Sequence, residues 1–138
     1  MLKEMKMKYR MLLVLAAIAF VFGATAYAHH SFAAVYNVKE SIKLEGNLVQ
    51  FVFRNPHSFV FIEAPDQDGK TQRWSLEWGG AGQLAGQGVQ QKTLNVGDHV
   101  VITGQPSRAP GEYRVLLKTL KRPSDGFTWG TKQGETFD

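Results

Sequence analysis

The segment Ser41–Phe53 (SIKLEGNLVQFVF) constrains this chain more than any other. Ile42, Leu44 and Leu48 alternate with Lys43, Glu45 and Asn47, the two-residue period of a strand with one buried face. The apolar set then changes phase to Val49, Phe51 and Phe53. Gly46 is the expected bend or bulge at that change. A long strand that turns its apolar side from one face to the other does not suit a flat sheet. It suits a small, curled barrel.

The rest of the chain fits that expectation. Arg54-Asn55-Pro56-His57 interrupts the run, because Pro56 lacks an amide donor and Asn55 favours turns. Ser58–Glu63 reads as the second strand, and residues 65–70 (PDQDGK) have the composition of a hairpin turn. Thr71–Trp78 is the third strand, with Trp74, Leu76 and Trp78 on one face and Arg73, Ser75 and Glu77 on the other. The glycine-laden segment Gly79–Gln90 predicts only a short, weak helix over Ala81–Gln87, each glycine costing up to about 1 kcal/mol against alanine. Thr93–Asp98 is a turn, and His99–Gly104 and Glu112–Lys121 are strands four and five, joined by Gln105–Gly111. The order strand–strand–strand–helix–strand–strand predicts an all-β domain with one short helix: an OB-like five-stranded barrel over residues 41–121. A small β-sandwich or a split sheet is the alternative. Residues 29–40 read as an N-terminal arm that Phe32 and Tyr36 dock by plain packing, and residues 122–138 as a loosely ordered tail.

The start of the chain speaks to location. Lys3, Lys6, Lys8 and Arg10 precede the apolar run Met11–Phe22, then come Gly23, Ala26-Tyr27-Ala28 and His29-His30. This is the layout of a secretory signal peptide, residues 1–28, with an A-x-A cleavage site. The run is too short for a membrane span, which needs about 20 apolar residues. Cleavage after Ala28 is expected, with a cut after Ala26 or an uncut segment as alternatives, and the product is periplasmic or secreted. The chain has a net charge of +4, but residues 29–138 hold 12 basic against 11 acidic side chains. That balance lacks the basic excess of a nucleic-acid partner. There is no cysteine, so disulfides, thiolate metal sites and cysteine nucleophiles are excluded.

His29-His30-Ser31-Phe32, Asn55-Pro56-His57, Trp74-Ser75-Leu76-Glu77-Trp78-Gly79, Leu94-Asn95-Val96-Gly97-Asp98 and Thr103-Gly104-Gln105-Pro106 occur in that order. Over residues 29–121 the chain resembles a family of small exported proteobacterial proteins catalogued as a domain of unknown function. The resemblance implies export and one domain and supplies no activity. The chain departs from the family in its middle, where Gly79–Gln90 is richer in glycine and lacks a basic helix with a tryptophan.

Four histidines carry the chemistry that remains: His29, His30, His57 and His99. Cleavage after Ala28 turns His29 into a chelating terminus of α-amine and imidazole, and His30 adds an imidazole beside a deprotonatable amide. Nitrogen ligation of that kind is Cu(II) chemistry. Zn(II) fits less well without cysteine or a His-x-x-x-His helix pair. His57, in the connection after the first strand, is the third candidate metal ligand. Glu77 is the candidate that orients its ring. It either faces outward or, turned inside, needs Arg54, Arg73 or His57 as a partner. His99 is expected to face solvent. Ser31, Ser58 and Ser75 lie in no nucleophile elbow, and no phosphate loop is present. Three readings follow, in order: a non-enzymatic exported binding module with a copper cofactor at the mature N-terminus; a metal-free periplasmic domain that contacts an envelope protein or small ligand; and a hydrolytic enzyme using His57 and Glu77 as an acid–base pair.

Overall fold

The computed structural model describes residues 8–15 and 32–130. The chain divides into two units, Met1–Val35 and Tyr36–Asp138. Within the first, residues 8–15 and 32–35 are helical. No described helix is long and apolar enough to cross a membrane. The expected cleavage site, His29, His30 and residues 131–138 lie outside the described residues.

The second unit is the barrel. Its strands are β1 (Ile42–Val52), β2 (Phe59–Pro65), β3 (Thr71–Glu77), β4 (His99–Pro106), β5 (Arg114–Arg122) and β6 (Phe127–Trp129), with a helix over Ala81–Ala85 between β3 and β4. The order in the sheet is β3-β2-β1-β4-β5-β6. A parallel pairing of β3 with β5, through Ser75↔Arg114, Leu76↔Val115 and Glu77↔Leu116, closes the first five strands into a barrel. The architecture is the expected OB-like barrel, and the sandwich and split-sheet alternatives fall away. Alternate residues of each strand fill the interior: Leu48, Val60, Ile62, Leu76, Val100, Ile102, Val115 and Leu120 are each at most 1% exposed. Each such side chain contributes about 1.5–3 kcal/mol of burial.

Two details differ from expectation. The change of phase in β1 is not at Gly46. Leu44, Gly46 and Leu48 are buried in unbroken alternation, and the register against β2 slips between Leu48 and Gln50. Val49 is therefore the extra residue that re-aims the strand. Gly46 serves close approach instead: a Cβ there would lie 2.1 Å from the Glu63 carbonyl oxygen. Beyond Arg122, where the sequence predicts a loose tail, Phe127–Trp129 form β6 against β5. The Trp129 ring meets Trp78 edge-on at 4.9 Å between centroids, and its indole N–H donates to Gln87 Oε1 at 2.9 Å. These isolated aromatics have no local period; they are ordered by what they pack on.

The connection from β1 to β2 is anchored on the turn that follows β3. The Ala81 amide donates to the Arg54 carbonyl at 3.0 Å, Ser58 to Gly79 at 3.0 Å and Trp78 to Ser58 at 2.8 Å. Gly80 caps the helix without a side chain, and Asn55 Oδ1 supplies the missing acceptor by taking the Gly82 amide at 3.1 Å. A Cβ at Gly80 would lie 2.6 Å from the Pro56 carbonyl oxygen, so glycine is what lets the two segments touch. His57 is thereby held beside the end of β3.

Candidate functional site

Glu77 ends β3 with its side chain outside the barrel, yet it is only 7% exposed. The cover is polar. His57 Nδ1 lies 2.6 Å from Glu77 Oε1, and Arg114 Nη2 donates to Oε2 at 2.8 Å. The Tyr36 hydroxyl donates a short hydrogen bond to the same Oε2. Arg114 Nε in turn donates to the Tyr36 hydroxyl at 2.8 Å. A buried carboxylate without partners would neutralise; this one has three donors.

Backbone placement explains each contact. Parallel pairing sets Arg114 opposite Ser75, with Val115 turned inward, so Arg114 rises on the outer face next to Glu77. Tyr36 bridges to Ser107, and the Asn37 amide donates to the Pro106 carbonyl at 2.8 Å. Arg108 Nε donates to the Tyr36 carbonyl at 3.1 Å. Tyr36 is 1% exposed. Its docking is thus partly polar, where the sequence suggested plain packing.

Burial would raise the Glu77 carboxyl, but the hydrogen bonds from Tyr36 and Arg114, with the charges of Arg114 and His57, hold it below its ordinary value. Burial pushes the Tyr36 phenol up, and its bond to Glu77 adds to the rise, so it remains a donor. Burial opposes the charge on Arg114, but the hydrogen bonds and charges of Glu77 and Tyr36 together outweigh it and raise that group further. The cluster therefore holds a fixed anion under a fixed cation. The anion orients one imidazole, which stays 37% exposed.

Of the residues singled out from the sequence, the structure brings His57 and Glu77 together. Arg54 and Arg73, named beside His57 as partners for Glu77, are elsewhere: Arg54 stacks over the Phe59 ring at 5.7 Å and Arg73 over Phe61 at 5.1 Å. His99 stands at the exposed start of β4, with Nε2 2.8 Å from Glu45 Oε1 and Nδ1 3.1 Å from Asn47 Oδ1. Among the described residues no three His, Cys, Asp or Glu side chains converge on a metal position. Sequence reasoning missed Arg114, and it saw Tyr36 only as an aromatic that docks the arm, not as a donor to Glu77. The only signal for Arg114 lay in the β3–β5 closure of an OB-like barrel, and it required the register.

The metal-relevant arrangement is a histidine whose Nδ1 is engaged by a carboxylate. This is the usual way a protein fixes the tautomer of a ligating ring and makes Nε2 the donor to a metal. Residues 17–114 match a family described as "Family of unknown function (DUF6152)". The match ends at the first residue of β5. No curated protein matches the chain.

Proposed function

We propose a role from the site itself, because the chain belongs to the DUF6152 family, whose description assigns no activity: an exported, non-enzymatic binding module that takes Cu(II) through His29, His30 and His57. The carrying observation is the 2.6 Å contact between His57 Nδ1 and a Glu77 carboxylate that Arg114 also holds. A ring oriented through Nδ1 offers Nε2 to a metal. Cleavage after Ala28 supplies the α-amine and imidazole of His29 and the imidazole of His30, a nitrogen set suited to Cu(II).

The acid–base reading draws on the same distance, since His57 and Glu77 are within hydrogen-bond reach. It is weaker, because Glu77 spends its oxygens on three donors and the neighbouring Ser58 is fully buried, its hydroxyl bonded to Arg54 backbone atoms at 3.2 Å.

The test begins with the intact mass of the processed chain, then titrates Cu(II) by visible absorption and EPR. The reading expects a mature end at His29 and one tightly held Cu(II). His29→Ala should weaken binding by at least about tenfold, the loss of one strong ligand, and His57→Ala should change the EPR hyperfine pattern. A different mature end, or weak binding indifferent to His29→Ala, overturns it. In that case, chelator-insensitive capture of an envelope protein would support the metal-free module.

A further inference from the structure

At the opposite end of the barrel from the β1–β2 connection lies a cavity of about 370 Å³. The start of β1, the turn between β2 and β3 and the connection between β4 and β5 enclose it. Its apolar wall includes Trp74 and Tyr113, whose rings meet edge to face at 5.1 Å between centroids. Trp74 is held in place by its indole N–H, which donates to the Ala64 carbonyl at 3.2 Å. The rim carries Glu40, Asp66, Asp68 and Glu112, a third of the twelve Asp and Glu residues in the chain, and among the described residues no lysine, arginine or histidine lines the space.

The carboxylates alone would make a solvated rim. Two of them also have structural work: Asp66 accepts the Lys70 and Asp68 amides at 2.9 and 3.0 Å, and Glu112 takes the Ser107 hydroxyl at 2.8 Å. Glu40 and Asp68 form no ion pair among the described residues. What the rim surrounds decides its chemistry. Aromatic faces attract cations by their quadrupole, and more strongly where water is displaced. A concave barrel mouth with an apolar wall and a few convergent charges is where small ligands bind.

We propose that this cavity binds an organic cation, a primary amine carried on an apolar body, with the ammonium between Glu40 and Asp68 and the body against Trp74 and Tyr113. The amine belongs to a free small molecule or to a lysine side chain of another protein. The site is independent of the histidines, so it stands whether or not the chain holds copper.

The full chain is titrated with benzylamine, with benzyl alcohol as the neutral match and with acetyl-Gly-Lys-Gly-amide as the lysine arm. Two-dimensional amide NMR follows the Trp74 indole N–H and the backbone of residues 107–113. Benzylamine or the lysine peptide should give saturable shifts and benzyl alcohol should not; the tighter of the two cations identifies the source. The double variant Glu40→Gln, Asp68→Asn disturbs no ion pair and should weaken binding by about tenfold, as should Tyr113→Leu. Equal shifts from amine and alcohol, no saturable shift from either cation, or a charge variant that binds as well as the parent overturns the proposal.

Discussion

The barrel contains two histidine–glutamate pairs that look alike as a list of contacts and differ in everything else. His57 and Glu77 are 2.6 Å apart, and His99 and Glu45 are 2.8 Å apart. The side chains of the second pair are 48% and 59% exposed, whereas the Glu77 side chain in the first is 9% exposed. His99 and Glu45 sit on the solvent face of neighbouring antiparallel strands, where each can exchange its partner for water at little cost. Glu77 cannot, because Tyr36, Arg114 and His57 replace its hydration shell. The distance alone says little about what a pair does. Burial and the remaining hydrogen bonds decide whether it orients a group or merely rests on the surface.

The largest expected effect comes from Glu77→Gln. It leaves Arg114 without its carboxylate and Tyr36 with a poorer acceptor, and should cost about 2–3 kcal/mol in denaturant unfolding, below the figure for a fully buried pair because Arg114 and His57 remain partly solvated. A cost no greater than that of a surface substitution would erase the contrast between the pairs. Next in size is an acid limb in the stability of the metal-free chain. The folded-state pKa of Glu77 lies below its ordinary value of 4.5, so the ionised group stabilises the fold above that pH, and this contribution is lost as pH falls through and below it. Thermal unfolding across that range should show the loss, and Glu77→Gln should flatten it. Smallest is Glu45→Gln, expected to change stability by no more than about 0.5 kcal/mol, and less at high salt. A cost comparable to that of Glu77→Gln would show that the exposed pair also belongs to a network.

The same contrast shows why some of the molecule was legible in its sequence. The alternation in Ile42–Leu48 and Trp74–Trp78, the break at Asn55-Pro56 and the glycine-weakened helix are local signals, and each element lies close to its expected bounds. The exposure of His99 follows from strand parity. The slip at Val49 was displaced to Gly46, because glycine signals both a bulge and a close approach, and only the neighbouring strand distinguishes them. The pairing of Glu77 with His57 was one of several open alternatives. The contacts of Tyr36 and Arg114 with Glu77 have no local signal, because the two residues lie 41 and 37 positions away in the chain.

Periodicity and turn chemistry act over a few residues, so the sequence by itself determined which segments become strands, where they break and that five of them suit a curled barrel. The environment of Glu77 and the cavity between Trp74 and the β4–β5 connection were decided by the tertiary structure. Closing β3 onto β5 fixes a register between distant segments, and no residue's own neighbours encode that register. The physical reason is dielectric as well as geometric: a carboxylate in water is indifferent to which cation is near, and one stripped of water is governed by the few donors that closure brings to it.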